Sequence, residues 1–112
     1  MPTYLPTDAN QNPIQALRLK QSGAQTVAAA TGSSARNSVA FAADTLVVSL
    51  YATQDVYVRF GDNTVTAAST DHFFPANTYY DFSIGDKGAA RYTNVAVRAA
   101  TAAGTLYISE KE

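Results

Sequence analysis

The sequence contains no cysteine, no tryptophan and only one histidine. Without cysteine the chain has no disulfide and no thiolate for metal binding or nucleophilic attack. A zinc site needs several cysteine or histidine ligands, so His72 alone does not predict one. The absence of tryptophan also weighs against a sugar-binding platform of exposed aromatic rings.

Charge is scarce as well. Charged residues make up 15% of the chain, against about 25% in a typical soluble domain. The net charge of -1 provides no long-range field, so neither nucleic acid nor a membrane is an expected partner. Because a small, charge-poor chain tends to self-associate, we expect part of the surface to contact protein, most simply in a homo-oligomer.

Long apolar segments are missing too. No stretch approaches 18 consecutive apolar residues, so no transmembrane helix is expected. The start, Met1-Pro2-Thr3, lacks the basic segment and apolar run of a secretory signal. We therefore expect a chain that is made in the cytoplasm.

The clearest positive signal is an alternation of apolar and polar residues over 55–60, which ends on Gly61-Asp62-Asn63. This period of two is typical of a half-buried strand, with Val56, Val58 and Phe60 inward. A similar pattern places Leu106 and Ile108 inward in the last strand. Such patterns predict eight strands in all, at 15–21, 24–31, 37–42, 45–52, 55–60, 78–84, 92–100 and 104–109.

Eight short strands with frequent turn signals predict an all-β fold, an antiparallel, jelly-roll-like β-sandwich or small barrel over residues 15–112. Gly23 is expected to form a turn between the first two strands. Thr53-Gln54 is expected to close a hairpin between 45–52 and 55–60, and 61–71 is expected to be a polar loop. The final residues, 110–112, are expected to be charged and solvated.

Residues 1–14 carry three of the four prolines. Since proline removes a backbone donor and favours extended geometry, this segment is predicted to be an arm without strand pairing. Two readings stay open: a disordered tail, or an arm that orders on a neighbouring subunit through Tyr4, Leu5 and Ile14.

No pattern in the sequence predicts catalysis. His72 and Asp71 are adjacent in the chain, so on a strand they would point to opposite faces and would not form a base and its orienting group. There is no G-x-S-x-G elbow, and six of the seven aspartates lie in turns or the arm, with Asp81 the exception. Asp62 and Asn63 lack the spacing of a calcium loop. We expect no enzyme activity, no metal and no cofactor.

The aromatic residues, seven tyrosines and five phenylalanines, suggest a binding surface. Tyr57, Tyr79 and Tyr107 are predicted to point away from the core, near Arg59 and Arg98. Tyrosine and arginine are enriched in protein interfaces, which favours a subunit contact. An ordinary sheet surface, or stacking on sugars or nucleic-acid bases, remains as an alternative.

Residues 45–110 resemble small structural proteins of tailed bacteriophages. The resemblance rests on a strand ending in a Gly-Asp turn (56–62), a Thr/Ala/Ser loop (64–70), the turn Phe74-Pro75-Ala76, a strand ending in a glycine loop (79–85), a Val-Ala-Val-Arg strand and the terminal segment 104–110. The N-terminal half matches no specific family of this kind.

This resemblance implies a virion component, and most closely a capsid decoration (cement) protein. Such proteins are β-rich, often form trimers and often clamp the major capsid protein with an N-terminal arm. The implied contacts are Tyr4, Leu5 and Ile14 on the arm, with Tyr57, Arg59, Tyr79 and Arg98 on the outer sheet face. The alternatives are a tail, baseplate or head–tail connector component, a carbohydrate-binding β-sandwich module and, least favoured, a stand-alone enzyme.

Overall fold

The computed structural model describes residues 9–10, 18–85 and 91–111. Most of the predicted arm, with Tyr4, Leu5 and Ile14, lies outside the described residues, as do residues 86–90 and Glu112. The described chain forms eight strands: β1 Leu19–Ala29, β2 Ala35–Arg36, β3 Val47–Ala52, β4 Val56–Gly61, β5 His72–Phe74, β6 Tyr79–Ser83, β7 Asn94–Ala99 and β8 Gly104–Lys111.

The strands form two antiparallel four-stranded sheets, ordered β1-β8-β3-β6 and β2-β7-β4-β5. The first strand pairs with the eighth, the second with the seventh, the third with the sixth and the fourth with the fifth. This nested pairing, split alternately between two sheets, is the jelly-roll arrangement. The all-β prediction is confirmed, as a sandwich rather than a closed barrel.

The core lies between the two sheets, where the alternating apolar residues meet. Val48, Leu50, Leu106 and Ile108 line the inner face of the first sheet, and Val56, Val58, Val95 and Val97 line that of the second; each is at most 1% exposed. β-branched side chains fill this layer well because they suit the pleated surface of a strand. The predicted inward positions of β4 and β8 are thus confirmed, with Phe60 only partly buried.

The predicted turn at Gly23 is wrong. Gly23 lies within β1, in a bulge where the register with β8 jumps from Leu19↔Lys111 to Ala24↔Ser109. Ser22 adopts a positive φ of 61°, which bends the strand there. A Cβ on Gly23 would meet the Cβ of Glu110 at 3.0 Å, so glycine permits close packing rather than a chain reversal.

The predicted hairpin through Thr53-Gln54 is also wrong. β3 belongs to the first sheet and β4 to the second, so this short connection crosses from one layer to the other. Two strands show the same alternation of apolar and polar residues whether they are hydrogen-bonded neighbours or lie in opposite sheets across the core. The sequence pattern therefore does not distinguish a hairpin from a crossing between sheets.

The predicted strand at 37–42 is wrong: this segment is irregular and follows the two-residue strand β2. The side chain of the buried Asn37 accepts a hydrogen bond from the Val95 amide (2.9 Å) and donates one to the Val39 carbonyl (2.6 Å). Local side-chain bonding of this kind competes with regular ladder pairing. A further strand, β5 (His72–Phe74), forms where no strand was predicted, and it pairs with β4.

The expected solvated end at 110–112 is wrong for Glu110, which is only 6% exposed. Its carboxylate accepts hydrogen bonds from the Ala42 amide (2.8 Å) and the Thr45 hydroxyl (2.7 Å). Arg91 donates to the Ala42 and Thr45 carbonyls of the same turn. The Glu110 carboxylate and the Arg91 guanidinium thus hold in place the turn that precedes β3.

The segment between β4 and β5, residues 62–71, is a loop as predicted, but it is not wholly polar in its contacts. Val65 and Ala67 are buried against Ala96 on the outer face of the second sheet. The loop therefore covers part of that face and leaves the outer face of the first sheet as the more open of the two. No helix among the described residues is long and apolar enough to cross a membrane.

Candidate interface surfaces

A row of tyrosines crosses the outer face of the first sheet. Tyr51 on β3 is paired in register with Tyr79 on β6 and with Tyr107 on β8. The ring centroids lie 6.1 Å and 6.4 Å apart, with interplanar angles of 43° and 50°. Tyr79 is 56% exposed and Tyr107 47% exposed. We call Tyr51, Tyr79 and Tyr107, with Ser49, Asp81, Ser109 and Lys111, the tyrosine face.

Hydrogen bonds hold two of the three rings in place. The Tyr51 hydroxyl donates to Asn77 Oδ1 (3.0 Å), and the Tyr79 hydroxyl donates to Ser109 Oγ (3.4 Å). Large side chains that are already fixed lose little conformational entropy when a partner binds. The tyrosine face is therefore suited to contact another surface without rearrangement.

The charges on the tyrosine face neutralise one another. Lys111 Nζ lies 2.9 Å from Asp81 Oδ1 and 6.0 Å from the centroid of the Tyr79 ring. The Ser49 hydroxyl also donates to Asp81. The Ser49 hydrogen bond, and secondly Lys111, lower the pKa of the Asp81 carboxyl below its ordinary value of 3.8. This face therefore presents aromatic and hydroxyl groups with no net charge.

The Asp81 network gives a direct prediction. Ser49→Ala removes the largest cause of the lowered pKa, so the Asp81 pKa is expected to rise toward 3.8 in a carboxyl NMR titration. A lowered folded-state pKa contributes stability above the unfolded pKa, and that contribution is lost as the pH falls through the folded value. The low-pH loss of stability should therefore shrink in Ser49→Ala.

Asp62 serves as the internal control for that titration. Its pKa is also lowered, chiefly by the Thr64 hydroxyl and amide, and it lies outside the Ser49 network. The Asp62 pKa should stay the same in Ser49→Ala. An Asp81 pKa that did not move would contradict the role given to Ser49.

The second sheet carries a different outer surface, which we call the arginine face: Tyr57, Arg59, Phe73 and Arg98. Tyr57 is paired in register with Arg98 and with Phe73, and its ring meets the Phe73 ring edge-on at 5.8 Å. Arg59 Nη1 lies 3.8 Å from Asp71 Oδ1, within ion-pair distance. Within the described residues, the Arg98 side chain makes no hydrogen bond or ion pair, although its backbone belongs to the β4–β7 ladder.

The sequence-predicted contact residues thus fall on two surfaces. Tyr57, Arg59 and Arg98 lie together on the arginine face, whereas Tyr79 lies on the opposite side of the sandwich. The expectation of one shared outer face is therefore wrong, because the alternation identifies the outward side of a strand but not its sheet. Sequence reasoning missed Tyr51 and Phe73. Tyr51 could have been found, since it alternates with Val48 and Leu50.

A groove of about 750 Å³ lies at the edge of the sandwich where β5 and β6 run. The groove is lined by Phe60, Phe74, Phe82 and Tyr92. The Phe60 ring contacts those of Phe82 and Tyr92, and Phe82 also contacts Phe74, with centroids 5.3–5.8 Å apart. His72 also lines the groove. The neighbouring Asp71 does not orient it, because Asp71 Oδ2 accepts a hydrogen bond from the Ala68 amide (2.7 Å). These groups do not form an acid, base and nucleophile in mutual contact.

The described residues also offer no evident metal centre. They contain no group of three or more His, Asp and Glu side chains that could hold an ion. Asp62 accepts hydrogen bonds from the Thr64 amide (2.9 Å) and hydroxyl (2.6 Å), which is the local bonding that favours aspartate in turns. These hydrogen bonds explain why an aspartate lies in this turn.

Comparison with known proteins gives no relative for this chain: no family model, curated protein or solved structure matches it significantly.

Proposed function

We propose that the chain is a non-enzymatic structural protein of a tailed-phage virion that binds the capsid surface and stabilises the lattice. The observation that carries this proposal is the tyrosine face, a row of three tyrosines, two of them about half exposed, on a sheet surface without net charge. Tyrosine-rich, charge-depleted patches are typical of the centre of protein interfaces.

Two further features support the proposal. The jelly-roll order of the strands occurs in viral capsid and lectin domains, an analogy at the level of the fold alone. The sequence resemblance of residues 45–110 to small phage structural proteins suggests the same setting. The partner would be the major capsid protein, and the residues before β1, with Tyr4, Leu5 and Ile14, would supply a second contact.

The mechanism would be mechanical. A capsid that holds packaged DNA is under outward pressure, and a protein bridging neighbouring subunits resists expansion through the apolar area it buries. A specific interface buries about 1,600 Å² in total, and many repeated copies make individually weak contacts collectively strong. The trimer that the resemblance implies is a separate prediction, which the solution mass by light scattering would test.

The direct test is to localise the chain on virus particles. Antibodies against the chain, applied to intact virions of the phage that encodes it, are expected to label heads in immunogold electron microscopy. Virions made without the chain serve as the control. Label confined to tails would favour the tail, baseplate or connector alternative, and virions without label would overturn the virion proposal.

The tyrosine face also favours a second candidate, a carbohydrate-binding module. The row provides exposed aromatic rings, and hydroxyls of Ser109 and the tyrosines lie beside them. A glycan array separates the two candidates. Glycan binding that is lost in Tyr107→Ala and kept in Tyr57→Ala, with no labelling of virions, would favour the module.

A further inference from the structure

The edge of β1 differs from the other three sheet edges. β1 is eleven residues long, whereas the other edge strands, β6, β2 and β5, have five, two and three residues. An edge strand leaves backbone donors and acceptors unpaired along one side, and short edges are one common protection against unwanted pairing. β1 lacks that protection.

The part of β1 from Ala24 to Ala29 is also regular and uncharged. It keeps six consecutive pairs with β8, and the bulge is confined to the residues before Ala24. No charged residue or proline occurs from 21 to 35. In the described part of the chain, none of the backbone hydrogen bonds made outside the strand ladders involves a residue of Ala24–Ala29. Its outward side chains, Ala24, Thr26 and Ala28, are small and exposed.

We propose that two copies of the chain associate by antiparallel pairing of their β1 edges over Ala24–Ala29. In a two-fold pair, residues at equal distances from the axis face each other, so each inward side chain stays inward. Both edges are neutral, so no like charges oppose each other. The two first sheets would then form one eight-stranded sheet.

The geometry also limits the strength of this contact. A stable interface buries about 800 Å² on each partner, and a strand edge of six residues offers less. The free dimer should therefore exchange readily. The dimer would place two tyrosine faces on the same side of one sheet. Such a bivalent surface binds a partner with repeated sites more tightly than a single face does. This pairing does not depend on the proposed virion role. It can link two monomers or two larger oligomers, because each copy keeps its own β1 edge.

The cysteine-free sequence permits a clean crosslinking test on the full chain. The single variants Ala24→Cys, Thr26→Cys and Ala28→Cys are oxidised separately and read as disulfide dimers on a non-reducing gel. The control is Thr66→Cys, an exposed threonine in the loop over the second sheet. If the axis passes through Thr26, that variant crosslinks with itself, and Ala24→Cys crosslinks with Ala28→Cys when the two are mixed.

We expect at least one edge combination to crosslink at least about ten-fold faster than Thr66→Cys. Thr26→Lys, which places like charges together across the axis, should weaken association about five-fold or more by light scattering, and Thr66→Lys should not. Crosslinking no faster than the control would overturn the proposal, including the case in which the chain's own N-terminal residues cover the edge.

Hydrogen exchange of the unsubstituted chain gives a readout that needs no variant. Amides of Ala24–Ala29 that point away from β8 should exchange more slowly at high protein concentration than at low concentration. The amides of β7, a central strand, should show no such dependence. Exchange of the β1 edge that is independent of concentration would also overturn the proposal.

Discussion

Glu110→Ala is expected to lower the free energy of unfolding by about 3 kcal/mol, because the substitution leaves buried hydrogen-bond donors without a partner. Glu110 is 6% exposed and binds the Ala42 amide and the Thr45 hydroxyl, 68 and 65 residues earlier in the chain. The loss corresponds to a fall of about 10 °C in the melting temperature of a domain of this size. Thermal and urea unfolding would measure it.

Asp62→Ala is the matched control for this prediction. Asp62 also accepts one backbone amide and one threonine hydroxyl, at 2.9 Å and 2.6 Å, but it is exposed and its bonds are local. Water can replace both bonds there, so the effect should be much smaller. Glu110→Gln keeps the size and one acceptor oxygen and should fall between the two alanine variants. A loss in Glu110→Ala no larger than in Asp62→Ala would contradict the structural role of Glu110.

Glu110 also shows what the sequence can and cannot predict. A glutamate two residues from the end looks like a solvated terminal charge, and its partners at Ala42 and Thr45 belong to a distant segment. Gly23 is similar: it lies in a bulge of β1 that is defined by the pairing with β8, where a Cβ would meet that of Glu110 at 3.0 Å. Such features depend on tertiary contacts that local patterns do not contain.

The features that were predictable are those governed by the pleat of a strand. Val56 and Val58, like Leu106 and Ile108, lie two residues apart and point to the core as expected. The same rule indicated that Tyr79 points outward, but not that it shares a face with Tyr51 and Tyr107 rather than with Tyr57. Sheet membership follows from the nested jelly-roll pairing, which joins strands distant in the sequence.

The double variant Tyr79→Ala/Tyr107→Ala is expected to lose binding to virus particles, if the tyrosine face is the docking surface. Truncation of a central tyrosine in an interface costs about 2 kcal/mol or more, so each substitution should weaken binding about 30-fold or more. The measurement is co-sedimentation of the purified variants with particles of the encoding phage produced without the chain. Since both side chains are about half exposed, the variants should fold normally, which thermal unfolding would check.

Tyr57→Ala is the matched control, because Tyr57 is an outward tyrosine on the arginine face, on the other side of the sandwich. It should bind particles like the unsubstituted chain. Tyr79→Phe separates the ring from its hydroxyl: it removes the hydrogen bond to Ser109 and keeps the aromatic surface, so binding should fall only slightly. Stronger loss in Tyr57→Ala than in the double variant would move the docking surface to Tyr57, Arg59 and Arg98. Equal binding by all variants would exclude both faces and leave the residues before β1 as the contact.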